Sequence, residues 1–257
     1  AIASTGRTAT SFLAQALDLL DGVAGCHEGH RTNDDGPDLL PMINLDNLSA
    51  FRSPVEAARV VAAKRNGAAI EHACASSGCD IVVDAAYYNA VLASALLDHH
   101  PSMRLVGLVR DCESFVRSVT WLAGEDPMPV GWPALDKDLT PRERFIGMGR
   151  IRPTGGAAAE QWSNWGAIER NIWLWSATNH RLLDARDSHP DRTVMVDFAE
   201  LRIDPVGFTR SICQHLSLDA RPTGDATWAD VVEFARSRTN ARQGGYQIDA
   251  SASWSRP

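Results

Sequence analysis

At 257 residues, with 44% hydrophobic content and a formal net charge of −7, the chain is long enough to bury a sizeable core, and α/β chains of this length often form one domain. The acidic balance argues against nucleic-acid binding, which needs a basic face, and no run approaches the ~18 uninterrupted apolar residues of a membrane span. Five scattered cysteines without a C-x-x-C pair fit reduced thiols and a cytoplasmic location.

In chain order, residues 1–3 read as a short strand, 8–20 as a helix and 23–26 as a second strand. A polar stretch over 30–54 precedes a helix over 55–74, a strand over 80–84 and a helix over 89–99. An apolar run from Met103 has the length and branching of a buried parallel strand and ends abruptly in Arg110. Phe115, Val116, Val119 and Leu122 then recur at helical spacing over 112–123. Breakers crowd the next thirty or so residues, and loops of such length are usually functional. A long helix over 161–186 carries four of the eight tryptophans, followed by a strand from Thr193 and a helix over 206–216. Such alternation predicts an α/β fold, a single domain over 1–257 with a central parallel sheet flanked by helices.

Two segments carry chemistry. Ala3-Ser4-Thr5-Gly6-Arg7-Thr8-Ala9-Thr10-Ser11 surrounds one glycine and one arginine with small hydroxyl residues, then runs straight into an apolar helix. A strand, a donor-rich turn and a helix N-terminus make a receptor for a phosphate-like anion. The same turn also has a local reading, a hydroxyl N-cap that satisfies the first N–H groups of the helix. It is not a Walker A loop, which needs a second glycine followed by lysine. The second segment is Arg110-Asp111-Cys112, with Ser118 eight positions beyond Arg110. In an open α/β sheet both would lie at the carboxyl edge of the strands, where ligands collect.

On these residues the chain resembles the sulfotransferases that use 3′-phosphoadenosine 5′-phosphosulfate (PAPS). In that family the first loop places Lys or Arg before a small-residue, Thr/Ser and aromatic run, matched by Arg7-Thr8-Ala9-Thr10-Ser11-Phe12, and binds the 5′-phosphosulfate. The second motif, Arg-Asp/Asn-Pro with a later Ser, is matched by Arg110, Asp111 and Ser118 and binds the 3′-phosphate. Ala9 stands where Gly or Ser is usual, at a position of positive φ, and Cys112 stands where Pro is usual. Phe198, Ala199 and Asp204-Pro205 occupy the place of the family's late strand and its Asp-Pro segment. A basic, glycine-containing closing loop would fall on residues 236–245, with Arg238, Arg242 and Gly244 toward the cofactor. The resemblance implies PAPS as donor, its desulfated form (PAP) as product, a small-molecule or carbohydrate hydroxyl as acceptor, and no metal. Gly6, Arg7, Thr8, Ala9, Thr10 and Ser11 would line the donor loop, with Arg7 also stabilising the leaving oxygen.

A base is still needed for the acceptor proton. Gly22-Val23-Ala24-Gly25 followed by an acidic residue is similar to the corresponding region of bacterial trehalose-type sulfotransferases, whose base is taken to be a nearby Glu. Glu28 therefore ranks first, His27 second and His30 third. Histidine has the more convenient ordinary pKa, whereas a glutamate must be raised by burial. His27-Glu28-Gly29-His30 lacks the i, i+4 histidine spacing of a helical zinc site. Core packing is the simplest role for the helix tryptophans, the alternative being an aromatic wall for the acceptor. Two other readings remain open: a phosphotransferase with an atypical P-loop, and a nucleotide-binding module without catalysis.

Overall fold

The computed structural model describes residues 1–31, 44–65, 75, 78–122, 131–132 and 150–240. Its strands are β1 (Ile2–Ser4), β2 (Val23–His27), β3 (His30–Arg31), β4 (Ile81–Ala86), β5 (Leu105–Val109) and β6 (Thr193–Asp197). The helices, in chain order, are α1 (Thr10–Leu17), α2 (Asn44–Arg52), α3 (Pro54–Arg65), α4 (Asn89–His99), α5 (Cys112–Leu122), α6 (Gly156–Gln161), α7 (Ala167–Ser188), α8 (Ala199–Ile203), α9 (Pro205–His215) and α10 (Trp228–Asn240).

One sheet runs in the order β3-β2-β4-β1-β5-β6. Five strands are parallel, and β3 alone turns back antiparallel on β2. β1 is central and fully buried because it pairs on both sides, Ile2 standing opposite Ala85 of β4 and Val106 of β5. Near-continuous apolar runs such as Leu105–Val109 follow from burial on both faces. Ile2, Val83, Ala85, Val106 and Leu108 pack under α1, α9 and α10 against Phe12, Leu13, Phe208, Ile212 and Val231. On the opposite face Ala3 and Leu105 meet Ala90, Leu97, Leu182 and Ala185 of α4 and α7. Gly25 lets α1 lie directly on β2: a Cβ there would fall on the Ala14 carbonyl oxygen and 2.6 Å from the Asp18 nitrogen.

The expected α/β architecture and parallel sheet are present. Differences lie at the edges of elements. The helix expected over 161–186 is broken into α6, a 3-10 turn (Trp162–Asn164) and α7, because Trp165 and Gly166 take extended backbone conformations. Trp162 is 9% exposed, with Trp132, Trp165 and Trp173 edge-on around it at 5.1, 5.8 and 5.6 Å. These rings form a second core beside Phe115, Val119 and Leu174. Asn171 fastens that core: its side chain accepts from the Trp132 N–H at 2.7 Å and donates to the Trp132 carbonyl at 2.8 Å. Residues 236–240, expected to begin a loop, continue α10 instead. Among the described residues no helix is long and apolar enough to cross a membrane.

Candidate functional site

After β1 the chain leaves toward β2, and after β5 it leaves toward β6 on the other side. The carboxyl ends of these neighbouring strands therefore flank a topological switch point, where open α/β sheets bind ligands. The parallel register sets Ser4 beside Leu108, so the Arg7 loop and the Arg110 turn are forced together.

Backbone conformation in the first loop departs from the ordinary. Gly6, Arg7 and Ala9 all have positive φ, at 85°, 56° and 57°, and Ser4 Oγ accepts from the Gly6 N–H at 3.0 Å. For a residue with a Cβ the left-handed region costs ~1–2 kcal/mol. Such turns wrap successive N–H groups around a concavity suited to an anion. Ala9 is the N-cap of α1 and supplies no side-chain cap, so the local hydroxyl-cap reading of this turn fails. The Thr8 hydroxyl is wholly buried and has no hydrogen-bond partner among the described residues. Leaving a buried polar group unmet costs ~1–3 kcal/mol. These features fit a phosphate-like group seated on the loop.

Arg110 joins the two turns. Its Nη1 donates to the Arg7 carbonyl at 2.6 Å and its Nε to Ser114 Oγ at 2.9 Å. The guanidinium lies 5.4 Å from the Phe198 ring centroid, and Trp175 Nε1 donates to the Arg110 carbonyl at 2.8 Å. Ser118, buried on α5, accepts from Arg7 Nε at 3.4 Å. Arg7, Arg110 and Ser118 are thus brought together across more than a hundred residues of sequence. Asp111 accepts from the Ser114 N–H at 2.9 Å, an N-cap that fixes the start of α5 without a proline at Cys112.

The β2–β3 hairpin borders the same edge. Glu28 and Gly29 form its two-residue tip with φ of 53° and 82°, the pattern of a type I′ turn. His27 Nε2 lies 3.2 Å from Thr10 Oγ1 at the start of α1. Glu28 Oε1 is 3.9 Å from that nitrogen. His27 therefore touches Thr10 of the donor-rich loop, and Glu28 next to it has a 41% exposed side chain. His30 is in β3, its side chain outside the described residues. The same holds for the side chain of Arg238 on α10, while Arg242 and Gly244 lie wholly outside them.

Sequence reasoning did not single out Ser114 or Asp84 as site residues, and reached Trp175 only as one of the helix tryptophans in the alternative aromatic wall. Ser114 was findable as the residue one helical turn beyond Arg110. Tyr87 extends the neighbourhood. Burial raises its phenol pKa, the Glu28 charge raises it further and the Arg150 charge opposes both. Arg150 is itself buried against the Trp132 ring. Among the described residues no group of three or more His, Cys, Asp or Glu is placed to hold a metal ion.

No family model and no curated protein matches this sequence. Solved structures do. A sulfotransferase domain from the curacin biosynthetic pathway aligns with a TM-score of 0.51 and 12% identity over 90% of this chain and 81% of that one. A sulfotransferase from Alicyclobacillus acidocaldarius aligns with a TM-score of 0.43 and 15% identity over 94% and 89%. The fold of this chain is that of the sulfotransferases.

Proposed function

We propose that the protein is a PAPS-dependent sulfotransferase that places a sulfuryl group on a hydroxyl of a small-molecule or carbohydrate acceptor. The observation that carries this reading is the meeting of Arg7, Arg110 and Ser118 at the β1/β5 switch point, beside a strained loop with an orphaned Thr8 hydroxyl. The donor supplies an activated sulfur: the acceptor oxygen–sulfur bond forms as the bond from sulfur to the bridging 5′-phosphate oxygen breaks, and PAP is released.

Each residue then has a task. The loop from Gly6 to Ser11 holds the 5′-phosphosulfate end with backbone N–H groups and hydroxyls, and Arg7 meets the charge that develops on the bridging oxygen. Arg110 and Ser118 hold the 3′-phosphate, the guanidinium fork suiting two oxygens at once. His27 takes the acceptor proton. It touches Thr10 at the loop, and imidazole is the side-chain type whose reference pKa lies nearest neutrality. Glu28, whose Oε1 lies 3.9 Å from His27 Nε2, supports the imidazolium that forms. A cytoplasmic location is part of the proposal.

Calorimetry with PAP, followed by transfer from [³⁵S]-labelled donor to a panel of sugars, phenols and lipids, tests it. PAP binding without added metal and label transfer to at least one acceptor class are expected. Binding of ATP only with Mg²⁺, and not of PAP, would overturn the reading in favour of a phosphotransferase. PAP binding with no transfer across the panel would leave a binding module.

A further inference from the structure

A carboxylate within the sheet is placed to control the hairpin that carries His27 and Glu28. Asp84 is the fourth residue of β4 and pairs in register with Cys26 of β2. Its Oδ1 accepts the Gly29 N–H at 2.8 Å. Its Oδ2 accepts from Asn89 Nδ2 at 3.0 Å and from the Tyr88 hydroxyl at 3.3 Å. Asn89 Nδ2 also donates to the carbonyls of Ile2 and Asp84, at 3.2 and 3.1 Å. One carboxylate thus ties the hairpin tip to the first turn of α4 and, through Asn89, to the central strand.

Both oxygens are engaged, so this group is built to hold and not to collect a proton from an acceptor. What it holds is strained. The first position of a type I′ turn favours Asn, Asp or Gly, and here it is Glu28 with φ of 53°. A glutamate there is kept in the left-handed region only if surrounding contacts over-determine it. The Gly29 N–H to Asp84 bond is such a contact, joined by the Glu28 N–H to the Ala85 carbonyl at 3.3 Å. Burial raises the Asp84 carboxyl above its ordinary pKa, and the Gly29, Asn89 and Tyr88 donors pull it back, as expected of a desolvated acid kept for its hydrogen bonds.

We infer that Asp84 is a positioning residue: by gripping the Gly29 N–H it sets the Glu28–Gly29 turn and holds the His27–Glu28 pair against Thr10 at the mouth of the anion loop. The inference rests on the proposed role of that pair in proton transfer. It concerns only the acceptor side, because no contact links Asp84 to Arg7, Arg110 or Ser118.

The test compares Asp84→Asn, Asp84→Ala and Tyr88→Phe with the wild type in four readouts: kcat, KM for the donor, PAP affinity, and the amide resonances of Gly29 and of residues 6–11. Asn keeps one oxygen to accept the Gly29 N–H, so kcat is expected to fall in the order wild type, Asp84→Asn, Asp84→Ala. The alanine variant should lose ~10²-fold, the scale of an ångström-sized misplacement. PAP affinity and donor KM should stay within about twofold, since those contacts are separate and distant changes of this kind are near independent. The Gly29 and Thr10 resonances should move, because His27 touches Thr10, while those of residues 6–9 stay. Should Asp84→Ala not fold, Asp84→Asn and the milder Tyr88→Phe carry the comparison. Wild-type kcat in Asp84→Asn with an unmoved Gly29 resonance would overturn the inference, as would a loss of PAP affinity parallel to that of kcat. Failure of the wild type itself to bind PAP removes the functional reading first, and the inference with it.

Discussion

Replacement of Arg110 by lysine separates charge from geometry. The arginine uses two different nitrogens, Nη1 on the Arg7 carbonyl at 2.6 Å and Nε on Ser114 Oγ at 2.9 Å, while its guanidinium lies over the Phe198 ring. An ammonium is a single point on a flexible stem, and it can replace only one of these bonds while facing a phosphate. Losing one hydrogen bond to a charged group costs ~1.5–3 kcal/mol, which at 1.4 kcal/mol per decade is a ~10- to 100-fold weaker PAP complex for Arg110→Lys. Alanine removes both bonds and the fork, so Arg110→Ala should weaken PAP binding by at least ~100-fold on the same scale. Calorimetry with PAP alongside adenosine 5′-monophosphate, which lacks the 3′-phosphate, isolates the effect. The preference for PAP should collapse, whereas the monophosphate should lose less, because it senses Arg110 only through the Arg7 carbonyl. Equal losses for both ligands, or unchanged PAP affinity in Arg110→Ala, would refute the assignment of Arg110 to the 3′-phosphate.

In steady-state assays His27→Asn should lower kcat by ~10²-fold or more, the usual worth of a positioned base, and Glu28→Gln should lower it less; the reverse order would give the proton to Glu28. Gly25→Ala should yield little folded protein by circular dichroism, since the added methyl meets the Ala14 carbonyl of α1. Gly107→Ala, whose Cβ would lie 2.6 Å from the Met195 sulfur on an unbranched, adaptable side chain, should fold with a loss of ~1–3 kcal/mol in denaturant titration. The Asp84 carboxyl is raised above 3.8 by burial, so it holds a proton more readily in the folded chain than in the unfolded one. The stability it adds is fully present below 3.8 and is lost as pH rises through the raised folded value. The Tm difference between wild type and Asp84→Asn should therefore shrink as pH climbs through that window, and a difference that grows would contradict the burial argument.

Strands were legible because their apolar runs are short, branched and bounded by breakers, and the five parallel strands lie where those runs lie. Their order was not, since no local pattern says that β4 slips between β2 and β1. The nearness of Arg7 and Arg110 was anticipated from the edge rule alone, and the β1–β5 register supplies it. Helix α2 was missed within a polar stretch: Asn44, Asp46 and Asn47 are weak helix formers, and packing against α3 and α4 holds them. The end of α10 read as a basic loop because Arg236, Ser237 and Thr239 hide the apolar stripe of Val231, Val232 and Ala235, which is buried in the core shared with α1. Asp84 looked like nothing more than the end of a strand, because the turn it grips is 55 residues away.

Strain marks the site independently of any resemblance. Among the described residues four side chains larger than glycine's hydrogen sit at positive φ: Arg7, Ala9, Glu28 and Ser217. Three of them lie on two turns at one edge of the sheet, and those turns touch through Thr10 and His27. A chain gains nothing in stability from an alanine or a glutamate in the left-handed region, where glycine or asparagine would be easier. Arg7 and Ala9 are held there beside an unmet buried hydroxyl, and Glu28 is held there by a buried carboxylate. Strain at both turns, one beside a buried hydroxyl and the other fixed by Asp84 and the Ala85 carbonyl, is what the proposed anion receptor with its proton acceptor alongside calls for. A decorative surface loop would have relaxed.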